Sequence, residues 1–214
     1  MSEVIRLEGA VAVLGGFPAL AGADFSVSRG EIVLLKGPNG AGKTSLLRVC
    51  AGLLPLERGA GRVLGLDLGT ERDGVRARTG LLGHQNGLYL DLTVAQNVAF
   101  WARMVDASAA EVAAAMARTR IDGRLAGVRA SQLSAGQRRR TAIASLIVRR
   151  AELWLLDEPH AGLDAEGRDE LDTLLRDAAG SGATVVVASH ETERAGGLAS
   201  RSMIVDGGIV RPDR

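Results

Sequence analysis

The hydrophobic pattern changes character twice along the chain. Residues 4–13 and 23–27 are mainly apolar, the second stretch with polar positions alternating, and turn-forming residues follow each, Gly15-Gly16-Phe17-Pro18 and Ser28-Arg29-Gly30. That spacing predicts strands with one covered face. Residues 31–36 then carry the aliphatic run Ile32-Val33-Leu34-Leu35, the pattern of a strand covered on both faces in a parallel sheet. Residues 95–119 hold Ala, Met, Glu and Arg at helical spacing without Gly or Pro, and predict two or more helices. After Gly136 a further helix is predicted to about residue 150, then a buried strand Leu153-Trp154-Leu155-Leu156, a helix over 165–178 and a strand over 184–189. A β-rich start followed by strand and helix alternation describes an α/β fold with a helical insertion.

Composition narrows the class. The 214 residues suit one domain, and 46% hydrophobic with 24% charged residues is ordinary globular usage. Lys plus Arg at 26 against Asp plus Glu at 25 leaves +1, which argues against the uniformly basic surface of a nucleic-acid or anionic-membrane binder. Three Phe, two Trp and one Tyr are too few for an aromatic base-stacking platform. Cys50 is the single cysteine and no secretory leader pattern opens the chain, so a reducing cytoplasm is expected. Glu, Asp and Arg interrupt every apolar run before the roughly 20 residues that cross a bilayer, so no membrane span is expected.

The chemistry concentrates in two places. Gly37-Pro38-Asn39-Gly40-Ala41-Gly42-Lys43-Thr44 satisfies G-x-x-x-x-G-K-[ST] at every fixed position, after a buried strand and before the helical run 45–51. Such glycines let successive N–H groups turn inward, and the helix start at Ser45 adds its positive end, making an anion site for β- and γ-phosphates. Lys43 is expected to bridge those phosphates and the Thr44 hydroxyl to ligate Mg²⁺. Asp157 and Glu158 stand where a hydrophobic strand emerges, at the carboxyl edge where ligands of open α/β sheets sit. Acidic residues ending a strand are commonly turn formers. With a phosphate loop in the same chain, Asp157 is expected to hold the Mg²⁺ shell and Glu158 to orient and deprotonate the attacking water.

Together with Leu133-Ser134-Ala135-Gly136-Gln137, these motifs resemble the ATP-binding cassette (ABC) ATPases, whose signature is L-S-G-G-Q; Ala135 replaces the first Gly. The resemblance covers essentially the whole chain. It implies a single ABC ATP-binding domain over 1–214: a P-loop NTPase core with an N-terminal antiparallel β subdomain (1–87 and 138–214) and an inserted α-helical signature subdomain (88–137). It also implies that Ser134, Gly136 and Gln137 face the γ-phosphate held by a second copy, in a homodimer or paired ATP-binding subunit. Gln85 in Gly83-His84-Gln85 resembles the Q-loop glutamine, a Mg²⁺ ligand that links catalysis to the transport partner. Asp164 resembles the D-loop aspartate at the dimer seam, and His190 the switch histidine on the γ-phosphate. ATP and Mg²⁺ are the implied cofactors. The chain departs from the pattern near Leu14, where many ABC proteins place an adenine-stacking aromatic; Phe17 is the nearest ring.

One phosphate loop and one signature make a half-site unit, and the short spacings from Lys43 to Gln85 and on to Ser134 leave no room for the coiled coil of chromosome-maintenance ATPases. Among transporter cassettes, Gly83-His84-Gln85, the Leu-Thr-Val-x-x-Asn-Val-x-Phe stretch from Leu92 to Phe100 and Arg138-Arg139-Arg140 are most similar to the ATP-binding subunit of the haem exporter of cytochrome c maturation. That resemblance implies hydrolysis coupled to export, integral membrane permease partners, no nucleic acid and a peripheral place on the inner face of the cell membrane. Other small exporter cassettes, soluble ABC-type assembly factors and nucleotide-binding regulators without turnover share much of the pattern. The arginine run could suggest a nucleic-acid contact, but with its charges spread around the helix it is read as solvation and helix–phosphate electrostatics, and His84 and His160 as local packing or solvation. Leu88, Tyr89, Leu92 and Phe100 read equally as a docking surface for membrane subunits or as internal packing.

Overall fold

A computed structural model describes residues 2–190 and 192–213. The chain divides into two compact units, Met1–Leu81 with Glu152–Pro159 and Asp172–Arg214, and Leu82–Ala151 with His160–Leu171.

In the first unit, β1 (Glu3–Leu14) and β2 (Phe17–Ser28) form a long antiparallel hairpin. The sequence predicts a four-residue turn there, but the turn is only Gly15-Gly16, both at positive φ, and Leu14 already pairs with Phe17. Two residues with positive φ match the twist of the flanking strands, so Phe17 and Pro18 are released into β2. The remaining strands of this sheet are β4 (Arg58–Val63) and β5 (Leu66–Asp67), in the order β2-β1-β4-β5. β4 is absent from the sequence reading because Arg58-Gly59-Ala60-Gly61-Arg62 lacks β-branched alternation.

The second sheet has the order β10-β9-β3-β8-β7-β6, built from β3 (Ile32–Lys36), β6 (Thr79–Leu82), β7 (Leu153–Asp157), β8 (Thr184–Ala188), β9 (Arg201–Asp206) and β10 (Ile209–Pro212). β8 lies parallel to both β3 and β7, and β3 also runs parallel to β9. β7 and β8 are buried along their whole length, and β3 up to its last residue, as the continuous aliphatic runs require. Helix α1 (Lys43–Cys50) packs Leu46, Leu47 and Cys50 into the core that holds Leu35, Leu153, Leu155 and Val186. Each fully covered Leu contributes about 1.5–3 kcal/mol. Helix α2 (Arg72–Arg78) ends on Arg78, whose guanidinium grips Glu152 through Nε–Oε1 at 2.6 Å and Nη2–Oε2 at 3.0 Å. That pairing holds the Glu152 carboxyl below its usual range and anchors the chain entering β7.

Complete burial pushes the Cys50 thiol up to about 12. Its thiolate fraction near neutral pH is then roughly a thousandfold below that of an ordinary cysteine. Labelling with an aromatic disulfide reagent is therefore expected to be negligible in the native chain and complete on adding denaturant; rapid native labelling would contradict the burial.

The second unit is helical. α3 (Val94–Arg103), α4 (Ala109–Arg118) and α5 (Ala135–Val148) surround a core of Val94, Val98, Met116, Ile121, Ala144 and Val148. Each opens with a capping box, Thr93 with Gln96, Ser108 with Glu111 and Ser134 with Gln137, which satisfies two backbone donors and fixes where the helix begins. Buried Asn97 accepts from the Tyr89 N–H at 2.8 Å and donates to the Tyr89, Leu92 and Thr93 carbonyls, so the loop before α3 is tied to that helix. Tyr89 is half exposed and packs edge-on to Phe100, which packs edge-on to Trp101. α6 (Ala165–Gly180) starts in this unit and continues into the first, and α7 (Thr192–Leu198) belongs to the first. Among the described residues, no helix is long and apolar enough to cross a membrane.

Candidate active site

The phosphate loop joins β3 to α1. Gly37 and Gly42 sit at φ +143° and +109°, and neither has room for a side chain: a Cβ on Gly37 would overlap the Val205 carbonyl oxygen, and one on Gly42 would lie 2.6 Å from that of Ala19. Any other residue at either position would displace strand backbone, so the glycines are required by both conformation and space. Gly42 is also the N-cap of α1 and no side chain caps it, in contrast with α3, α4 and α5. The N–H groups of its first turn thus find no acceptor in an N-cap side chain, and they carry the positive end of the helix dipole. Lys43 is buried, with Nζ donating to the carbonyl oxygens of Gly37 at 2.6 Å and Pro38 at 3.0 Å. Its charge is held inside the loop.

The acidic pair closes against this loop. Thr44 Oγ1 donates to Asp157 Oδ2 at 2.7 Å, and Asp157 is buried at the end of β7. Glu158 follows at φ +49°, a left-handed conformation that costs a residue with a side chain on the order of 1–3 kcal/mol. Its backbone N–H donates to the Ala188 carbonyl at 2.8 Å. Its carboxylate accepts from Ser189 Oγ at 3.2 Å and from the His190 N–H at 3.1 Å, with His190 Nδ1 2.9 Å from Oε1. Asp157, Glu158 and His190, assigned from sequence, are thus gathered beside the loop by β7 and β8. Ser189 carries no role in the motif reading. Its only signal in sequence is a hydroxyl directly before the histidine, and the fold places it on Glu158.

Beyond His190, Arg194 of α7 donates to Asp172 of α6 at 2.9 Å. Asp172 is itself buried.

The other assigned residues belong to the second unit. Gln85 is exposed in the loop after β6. Ser134 Oγ accepts from the Gln137 N–H at 3.2 Å while Gln137 Oε1 accepts from the Ser134 N–H at 2.9 Å, so both serve as the cap of α5. Gly136 lies against another loop, where a Cβ would come 2.9 Å from the Gly162 carbonyl oxygen. Asp164 accepts the Gly167 N–H at 3.0 Å, caps α6 and leaves most of its side chain exposed. His160 is buried and His84 exposed, consistent with packing and solvation respectively. The arginine run is not solvated as its sequence suggests. Arg139 is only 3% exposed and donates to the Gly83 carbonyl at 2.9 Å, Arg138 donates to the Leu133 carbonyl at 3.1 Å, and Arg140 turns toward Asp164 and Glu170. Charges spaced around a helix are solvated only if the helix has a free side, and α5 packs against both α3 and α4.

This loop, acidic pair and capped signature turn define a P-loop ATPase cassette. The family model for ABC transporters matches residues 20–161, and the chain belongs to that family as an ATP-binding, ATP-hydrolysing subunit. The cytochrome c biogenesis ATP-binding export protein CcmA of Bradyrhizobium diazoefficiens is 38% identical over 197 residues, covering 92% of this chain and 95% of that protein. CcmA of Paramagnetospirillum magneticum is 41% identical over 182 residues, with 83% of each chain covered. Among solved structures, a dimeric ATP-binding cassette in a post-hydrolysis state with ADP and Pi superposes with a TM-score of 0.90 at 23% identity over 98% of both chains, a likeness of fold. A bacterial Atm1-family ABC exporter with ATP bound gives a TM-score of 0.86 at 25% identity, over 97% of this chain and 38% of that one.

Proposed function

We propose that two copies of this chain close on two ATP molecules, each phosphate loop facing the signature of the other copy, and that the cycle of closing and reopening drives membrane permease subunits exporting haem for cytochrome c biogenesis. The observation that carries the reading is the convergence of the uncapped loop Gly37–Thr44, Asp157, Glu158 and His190 in one unit. The cargo rests on the export proteins to which the chain is similar over nearly their whole length. In this reading the chain works from the cytoplasmic face of the membrane and binds no nucleic acid.

The loop from Gly37 to Ser45, with Asn39, Gly40 and Ala41 at its turn, holds the β- and γ-phosphates through the N–H groups that every residue but Pro38 supplies, and Lys43 turns from the Gly37 and Pro38 carbonyls to bridge them. The hydroxyl of Thr44 and the carboxylate of Asp157 are hard oxygen donors already in contact, a set that fits Mg²⁺; Gln85 keeps the ligand role that its likeness to the Q-loop glutamine implies. When bound, Mg²⁺ neutralises charge on the phosphate oxygens. Glu158 takes a proton from the water that attacks the γ-phosphorus while the bond to the β-bridging oxygen breaks and ADP leaves. Ser189 and the His190 backbone hold the carboxylate in place, and the His190 ring contacts the γ-phosphate. Ser134, Gly136 and Gln137 of one copy complete the γ-phosphate site of the other, with Asp164 at the seam.

Phe17 serves as the adenine contact. Its side chain is 77% exposed at the start of β2, two residues from the Ala19 carbonyl that abuts Gly42. Phe17→Ala is expected to weaken ATP binding by about 1–3 kcal/mol, the range of one base–aromatic stack, measured by titration with a fluorescent nucleotide. Unchanged affinity would remove Phe17 from the site.

The reading is tested by sizing Glu158→Gln with Mg·ATP and by reconstituting the chain with the permease subunits of a cytochrome c biogenesis exporter. A twofold particle dependent on ATP, and turnover stimulated by haem in vesicles carrying those subunits, are the expected results. A particle that stays single with nucleotide and permease present would overturn the two-copy mechanism, and stimulation by another cargo would overturn the haem assignment.

A further inference from the structure

The third residue of α6, Gly167, is one that helix propensity disfavours. It does not adopt the left-handed conformation, so flexibility is not what it supplies. It supplies room. A Cβ on Gly167 would stand 2.8 Å from Asp164 Oδ1 and 2.9 Å from Arg140 Nη2. In that space Arg140 of α5 lies 3.8 Å from Asp164 Oδ1 and 3.4 Å from Glu170 Oε2. Glu170 is held from its other side by Arg120, 2.5 Å from Oε1, which also reaches Glu166 at 2.8 Å. Two guanidiniums and two glutamates therefore fix the end of Arg140 beside Asp164, while Gly136, in the first turn of the same helix α5, has its Cα side against the Gly162 carbonyl.

We propose that Arg140 is a positioning residue: it holds Asp164, and the loop from Gly162 to Asp164, in register with the signature turn from Ser134 to Gln137, so that both segments meet a second copy of this chain as one preformed surface. The inference rests on the two-copy ATPase reading above. Asp164 is 76% exposed and the pair is long, so it adds little to stability. What it restricts is where the carboxylate stands, and organisation of this kind acts on turnover more than on folding.

Two variants separate position from stability. Arg140→Gln removes the charge, and Gly167→Ala crowds the ends of Arg140 and Asp164 and with them the cap that Asp164 places on the Gly167 N–H. Each is expected to lower kcat about tenfold while KM for ATP stays within about twofold; the thermal midpoint holds in Arg140→Gln and falls modestly in Gly167→Ala, which disturbs the Asp164 cap. Arg140→Lys, which keeps the charge, should lose less than Arg140→Gln, and the Arg140→Gln, Gly167→Ala double variant should be no slower than either single one. Wild-type kcat in both single variants, multiplied losses in the double variant, or a loss in Arg140→Gln that follows a lowered midpoint would overturn the proposal. Glu158→Gln is assayed alongside. Persistent hydrolysis there strikes at the active-site reading, whereas a silenced Glu158→Gln beside a fully active Arg140→Gln strikes at Arg140 alone.

Discussion

Glu158→Gln is expected to reduce phosphate release on the order of 10²–10⁴-fold while leaving ATP affinity intact, the range a positioned general base contributes. The side chains are nearly isosteric: the one oxygen of Gln can accept the His190 N–H, 3.1 Å from the present Oε1, and its NH2, standing in for Oε2, can donate to the Ser189 hydroxyl 3.2 Å away. The left-handed turn at this residue, tied to the Ala188 carbonyl by its own N–H, is a backbone property that the substitution does not touch. Only proton acceptance is lost. Single-turnover phosphate release together with a nucleotide titration separates the two effects, and turnover within threefold of the parent protein would remove Glu158 as the base.

Lys43→Ala acts on binding instead. The ammonium sits buried inside the loop, and its contacts to Gly37 and Pro38 show that it reaches inward without rearranging the backbone. Bridging two phosphates makes charge-assisted hydrogen bonds of about 1.5–3 kcal/mol each, so their joint loss lowers ATP affinity by roughly two to four orders of magnitude. At ordinary nucleotide concentrations that amounts to no detectable binding. The loop glycines and α1 remain, so the thermal midpoint without nucleotide should fall only by what the two contacts to the Gly37 and Pro38 carbonyls contribute. Undiminished affinity in calorimetry would contradict the phosphate-loop assignment.

The most legible parts of the chain were those where one local rule dominates. Ile32 to Leu35, Leu153 to Leu156 and residues 184–189 read as buried strands because a strand covered on both faces must be continuously apolar, and each is a central strand of the sheet. Residues 95–119 read as more than one helix and resolve into α3 and α4, separated where Ser108 starts a new cap. The elements missed, β4, β5, β6, β9, β10, α2 and α7, are short or glycine-rich and take their conformation from neighbours. β9 and β10 carry Arg201, Ser202 and Arg211, and hold as strands through pairing with β3 and with each other.

The phosphate loop and the acidic pair are recognisable in one dimension because a fixed backbone shape needs glycine at fixed spacing, and because the carboxylates directly follow the strand that presents them. Ser189 on Glu158, the buried Asp172 with Arg194, and the separate tasks of Arg138, Arg139 and Arg140 have no such signature. Their partners lie up to 56 residues away along the chain, as Arg139 does from Gly83. A charge in a linear string looks solvated wherever it falls. Whether it is buried and what it grips depends on which helices pack around it, and those neighbours are chosen by long-range burial that no local pattern encodes.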